Sequence, residues 1–145
     1  MYYHKIVFSS RKEASKALRH LLSLESSKES VIALPPSGLM SYYWNVVKKS
    51  KGVTIALDDK SGNILKRITF YDKDSKPTKQ HLTADARAYY LREIKEDIAY
   101  FSKSYTKADI SVDISGLDIL QSALKIKKAI EKNNEESRQK NSITT

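Results

Sequence analysis

Apolar positions in the first third of the chain fall into two short runs with a helical pattern between them. Residues 31–34 form an unbroken apolar run stopped by two prolines, which is typical of a strand covered on both faces. Residues 2–8 combine aromatic and β-branched side chains and predict an earlier strand. Over residues 10–22, apolar positions recur at steps of three and four and indicate a helix capped by Ser10. Together these segments predict an N-terminal βαβ unit.

A strict alternation of apolar and polar residues appears next. Val53, Ile55 and Leu57 alternate with smaller or polar neighbours, which is the periodicity of a strand. Residues 58–63 are rich in the residue types that form turns, and residues 64–71 resume a strand pattern. The two strands and their turn predict a central β-hairpin.

Two helical patterns separated by one strand pattern fill the C-terminal part. Residues 83–102 and 115–133 have apolar stripes at helical spacing, and residues 108–114 alternate as a strand does. Residues 134–145 lack recurring apolar positions and are predicted to be a disordered polar tail. The fold class expected is α/β or α+β, with a small mixed sheet, the N-terminal βαβ unit, the central hairpin and two C-terminal helices. Residues 1–133 would form a single domain.

The charge of the chain indicates which class of partner it binds. There are 26 lysines and arginines against 17 acidic residues, for a net charge of +9. The excess is uneven, since residues 1–50 carry eight basic residues against three acidic ones, whereas residues 82–118 carry five against seven. A basic excess of this kind favours DNA or RNA as the partner.

Several classes of function lose support from what the sequence lacks. The chain has no cysteine, and no apolar run approaches the about 18–20 residues that span a bilayer, so we expect a cytoplasmic protein with no membrane partner. Glycine-rich phosphate loops and the serine-hydrolase motif are missing, and the three histidines are far apart. We therefore expect no cofactor and no metal, and a non-enzymatic role is favoured. The pair Asp58–Asp59 is more typical of a turn than of a metal site.

Two sets of residues are candidates for binding. The predicted nucleic-acid-binding residues are exposed cations: Arg11, Lys12, Lys16, Arg19, Lys48, Lys49, Lys51, Lys66 and Arg67. A βαβ unit would also bring two helix starts to one sheet edge, where backbone N–H groups and serine hydroxyls can bind a phosphate. The predicted phosphate-binding residues are Ser9, Ser10, Ser37 and Gly38.

Three functions remain open at this point. The first is a small basic protein that binds nucleic acid through phosphate contacts, for which the mix of lysine, serine and tyrosine suggests a viral or mobile-element origin. The second is a pocket or enzyme for a phosphorylated small molecule or cyclic oligonucleotide at the paired helix starts. The third is a structural or inhibitory protein-interaction module, with a protein partner or a homodimer contacting Trp44 and Met40.

Overall fold

The elements run in the order of one long helix, a mixed central segment and two further long helices. The computed structural model describes residues 2–78 and 81–143, with the side chains of residues 11–26, 28–78 and 81–140. The elements are α1 (Tyr2–Ser23), α2 (Ser41–Val47), β1 (Ile55–Asp58), α3 (Ser61–Arg67), β2 (Phe70–Tyr71), β3 (Pro77–Thr78), α4 (Ala84–Tyr105), β4 (Ile110–Asp113) and α5 (Ile119–Ile143). A short 3₁₀ turn at Glu25–Ser27 follows α1.

The predicted N-terminal βαβ unit is wrong. Residues 2–8 belong to α1, which runs without a break to Ser23, and residues 31–34 pair with none of the strands in the described part of the chain. Because a strand needs a partner for its backbone groups whereas a helix supplies its own, residues 2–8 extend the adjoining helix. Residues 31–34 stay extended, with Ile32 and Leu34 packed on the core and Val31 fully exposed.

The predicted central hairpin is also wrong in its pairing. β1 is a strand, but it pairs in parallel with β4, and Ile55 lies opposite Ile110 in the register. Residues 64–67, expected to begin the returning strand, belong to α3 instead, and residues 70–71 form β2, which pairs antiparallel with β3. The turn residues start α3, since Asp59 Oδ1 accepts hydrogen bonds from the Lys60 N–H (2.7 Å) and from Asn63 Nδ2 (2.8 Å).

Both C-terminal helices and the strand between them are confirmed. Thr83 caps α4 by accepting a hydrogen bond from the Ala86 N–H at 3.2 Å. α5 begins at Ile119 rather than at residue 115, and just before it the side chains of Asp118 and Gln121 each accept a hydrogen bond from the other's backbone N–H. The structure also continues α5 to Ile143, where a disordered tail from residue 134 was expected. The limits of a domain at residues 1–133 stay a prediction.

The buried residues form two groups along the chain. α1 packs against α2 around one cluster of buried residues, Leu18, Leu39, Val46 and Val47. The other buried apolar residues lie later in the chain, with Ala56 in β1, Leu65 in α3, Val112 in β4 and Ile114 directly after β4. The described residues thus contain five α-helices with parallel and antiparallel strand pairs, and the α/β class is confirmed. Within those residues, no helix has the length and apolar character needed to cross a membrane.

Candidate nucleic-acid interface

One stripe of cations runs along α1 beside its buried face. Lys12, Lys16 and Arg19 follow one another at steps of four and three, so they share one side of the helix, and all three are exposed. Ser15 and Leu18 lie on the neighbouring side and are buried, with the Ser15 hydroxyl donating to the Lys12 carbonyl at 2.8 Å. Burial of that neighbouring side is what turns the cations towards solvent.

A second group of cations ends α2. Lys48, Lys49 and Lys51 are exposed, while Val46 and Val47 just before them are buried. The Lys48 and Lys49 N–H groups bond to carbonyls of the last turn, at 3.0 and 3.1 Å, which fixes the backbone there. Since α1 and α2 pack on each other, the two groups of cations belong to one unit. We call these six residues the basic surface: Lys12, Lys16, Arg19, Lys48, Lys49 and Lys51.

Most cations of the basic surface have no carboxylate partner. Lys16 pairs with Glu13 at 2.8 Å, and among the described residues the other five form no ion pair. Arg11 is likewise exposed on α1. Unpaired exposed cations are available to phosphates without first breaking an internal contact.

Lys66 and Arg67 lie elsewhere and have other contacts. They end α3, which packs against α4 rather than forming part of the α1–α2 unit. Arg67 Nη1 lies 2.8 Å from Asp59 Oδ2, and its Nη2 donates to the Leu117 carbonyl at 3.1 Å. Lys66 lines a cleft of about 300 Å³ together with Arg87. Arg67 therefore ties α3 to the loop before α5.

The geometry expected for the phosphate site is not present. Ser9 and Ser10 lie inside α1, which begins at Tyr2, so no helix starts there. Ser37 and Gly38 belong to the turn before α2, and α2 begins only at Ser41. Gly38 is buried, because Leu34 packs directly over it. The prediction of two adjacent helix starts is therefore wrong.

Trp44 lies in the wall of a second cleft. Its ring is half-buried against the α1–α2 cluster, and Lys107 Nζ sits 5.3 Å from the ring centroid while donating to the Leu39 carbonyl at 3.0 Å. Lys48 lines the same cleft, whose volume is about 310 Å³. Met40 is also half-buried. A partner contact through Trp44 and Met40 stays a prediction.

Sequence reasoning missed the polar group at the carboxyl end of the parallel strands. Asp58 and Asp113 end β1 and β4 and lie opposite each other in the register. The Ser111 hydroxyl donates to Asp58 Oδ2, and the Ser115 N–H donates to Asp113 Oδ1 at 2.8 Å. The similar sequences of the two strands, Ile-Ala-Leu-Asp at residues 55–58 and Ile-Ser-Val-Asp at residues 110–113, are a feature from which their pairing could have been predicted.

Two carboxylates of this region have shifted pKa values. The pKa of Asp59, whose side chain is 4% exposed, lies below its ordinary value. Burial acts to raise this pKa, but the hydrogen bonds from Asn63 and Lys60 and the charge of Arg67 lower it by more. Hydrogen bonds from Ser115 lower the pKa of Asp113. No three histidine or acidic side chains of the described residues are grouped so as to hold a metal ion. These carboxylates serve to join α3, β4 and the loop between β4 and α5.

Asp59→Asn is expected to destabilise the protein at pH 7 by about 1 kcal/mol, because Arg67 loses its charged partner. The pKa of Asp59 is lower in the folded state than in the unfolded state. Its contribution to stability is therefore complete at a pH above the unfolded pKa and is lost as the pH falls through the folded pKa. The difference in the free energy of unfolding between variant and wild type should therefore become smaller below a pH of about 4. Urea titrations from pH 3 to 7 measure it, with the exposed Asp74→Asn as the control of equal charge change. A gap that stays constant with pH would contradict the role given to this carboxylate.

Comparisons of the chain with protein-family models, with curated proteins and with solved structures found no match. Function is therefore inferred from the geometry and charge of the chain itself.

Proposed function

We propose that the chain binds DNA or RNA, mainly through phosphate contacts made by the basic surface. The observation that carries the proposal is the position of these cations, on one side of α1 and at the end of α2. The two helices are held together by the buried cluster of Leu18, Leu39, Val46 and Val47. Five of the six have no ion pair among the described residues. Cations placed in this way supply affinity that does not depend on base sequence.

Charge over the whole chain supports the same proposal. The net charge of +9 draws polyanions towards the protein at long range, and the N-terminal third holds most of the excess. The pocket for a phosphorylated small molecule has lost its geometric basis, since Ser9 and Ser10 start no helix. We include a cytoplasmic location in this proposal. A viral or mobile-element origin stays a prediction made from the composition of the chain.

The affinity for DNA and RNA should fall steeply with salt. Six phosphate contacts to a duplex imply a log–log slope of about −5, which is roughly a thousandfold loss between 50 and 200 mM salt. Fluorescence anisotropy with labelled duplex DNA, single-stranded DNA and RNA measures this slope and separates the targets. No binding to any of the three at 50 mM salt would contradict the proposal.

A matched pair of triple variants tests the location of the interface. Lys12→Gln, Lys16→Gln and Arg19→Gln together should reduce the slope by about 2–3 units, because each lost phosphate contact removes about 0.9. The control changes Lys73, Lys95 and Lys103 to glutamine, which removes the same charge from exposed positions outside the basic surface. Equal losses in the two variants would show that only net charge matters and that no defined surface exists.

A further inference from the structure

The cleft beside Trp44 opens next to the end of α2, where the basic surface has its second group of lysines. It lies where the last turn of α2 meets the start of β1 and the residues just before β4, and its lining includes Trp44, Lys48, Thr54, Lys107 and Asp109. Lys48 belongs to both the cleft and the basic surface, so the two are continuous. The volume of about 310 Å³ is at the lower end of the range for ligand pockets and suits a group of the size of one nucleobase.

Hydrogen bonds fix the walls of this cleft. Asp109 Oδ2 accepts from the Thr54 N–H at 2.8 Å and from the Thr54 hydroxyl at 2.6 Å, and Thr54 Oγ1 accepts from the Asp109 N–H at 3.0 Å. The Ser50 hydroxyl and N–H both donate to the Val47 carbonyl, at 2.8 and 2.9 Å, which fixes the end of α2. The cleft is therefore formed before a ligand arrives, and binding requires little further ordering of the chain.

Cations, one acceptor and an aromatic ring line the cleft together. Lys107 Nζ lies 5.3 Å from the centroid of the Trp44 ring and is held there by the Leu39 carbonyl at 3.0 Å. Lys48 is exposed and forms no ion pair within the part of the chain that the structure describes. Asp109 Oδ1, unlike its Oδ2, has no hydrogen-bond partner among the described residues. Two ammonium donors and one carboxylate acceptor are thus placed around an indole ring.

This mixture of groups selects a nucleobase over a simple anion. A carboxylate in the cleft repels a phosphate or another carboxylate, whereas the edge of a base offers acceptors to a lysine and N–H donors to a carboxylate. The flat face of a base also suits contact with an aromatic side chain. In a duplex the faces of the bases are stacked and their edges are paired, so the base that enters the cleft must be unpaired.

We propose that the cleft binds one unpaired base of a single-stranded DNA or RNA whose phosphates lie on the adjacent lysines of the basic surface, Lys48, Lys49 and Lys51. The inference rests on the proposed nucleic-acid binding and adds the class of target, a single strand. Phosphate contacts hold a single strand and a duplex alike. The contact with one base then raises the affinity for the single strand roughly 5- to 150-fold.

The fluorescence of Trp44 tests the proposal, because it is the only tryptophan of the chain and therefore reports on the cleft alone. Single-stranded DNA and RNA of about 12 nucleotides should change this fluorescence along the binding curve given by the anisotropy of a labelled strand. A duplex of equal length should bind without changing it. A duplex that changes the fluorescence as a single strand does overturns the proposal, and so does a bound single strand that leaves it unchanged. Either result leaves nucleic-acid binding in place, because anisotropy measures binding separately.

A variant that fills the cleft tests where the base lies. Gly52 lines the cleft, and a Cβ atom there would meet only Ser50 Oγ beyond its chain neighbours, at 3.8 Å, so Gly52→Leu leaves the walls unstrained. It should abolish the fluorescence change and weaken single-strand binding roughly 5- to 150-fold, with the salt slope unchanged because the phosphate contacts remain.

Gly62→Leu is the matched control, since a Cβ atom at residue 62 meets nothing within 4 Å and residue 62 lies in α3, outside the cleft. This variant should bind single strands as the wild type does. Circular dichroism checks that both variants are folded. A folded Gly52→Leu variant that keeps the wild-type affinity and fluorescence change contradicts the proposal.

Discussion

Leu18→Ala is expected to destabilise the protein by about 2–5 kcal/mol, because it empties the centre of the α1–α2 cluster. Leu18 is 7% exposed and packs with Leu39, Val46 and Val47 where α1 meets α2. Truncation removes apolar contacts and leaves a space that the rigid helix pair can fill only in part. For a chain of this size the melting temperature should fall by about 5–20 °C.

The matched control is Leu21→Ala, one turn further along the same helix. Leu21 is 40% exposed, so its truncation should cost less than about 1 kcal/mol. Both variants are melted at the same protein concentration, so that the two transitions are compared under equal conditions. Equal losses of stability would mean that the buried side of α1 is not the side assigned to it. In that case the outward direction of Lys12, Lys16 and Arg19 would be wrong as well.

Gly38→Ala should destabilise the protein by about 1–3 kcal/mol through overpacking. A Cβ atom at residue 38 would lie 2.5 Å from Leu34 Cβ and 3.0 Å from the Pro35 carbonyl oxygen. Neither atom is the free end of a flexible side chain, and the Gly38 N–H is already bonded to the Pro35 carbonyl at 2.7 Å. The turn must therefore open, which moves Leu34 and Leu39 in the α1–α2 cluster.

Gly62→Ala is the same chemical change as Gly38→Ala but is expected to raise the stability of the protein rather than lower it. Gly62 lies inside α3, and no atom lies within 4 Å of a Cβ placed there. Alanine should stabilise the protein there by roughly 0.5–1 kcal/mol, because it reduces the freedom of the unfolded chain. Urea titrations of the two variants compare the signs directly. A Gly38→Ala variant as stable as the wild type would contradict the close packing of the turn on Leu34.

Local patterns in the sequence predicted the elements whose stability is local. α4, β4 and the part of α5 up to residue 133 follow from the periodicity of residues 83–133, and Thr83 caps α4 as its type and position indicate. Exposure of the cations on α1 also agrees with helical spacing, because Lys12, Lys16 and Arg19 recur at steps of four and three beside the buried side of the helix. These features depend on neighbours three or four residues apart, and a single sequence shows such neighbours directly.

Tertiary structure decided which segments pair, because a strand's partner can lie anywhere in the chain. Ile55 meets Ile110 across 55 residues, so the nearby segment that looked like its hairpin partner became α3. Residues 2–8 suit a strand by composition, but none of the described strands pairs with them and they lengthen α1. The paired helix starts expected around Ser10 and Ser37 depended on that strand and were wrong with it, whereas phosphate binding by these residues stays a prediction. Asp58 and Asp113 came together only because two distant strands pair in parallel, and the whole basic surface became one unit only because α1 packs on α2.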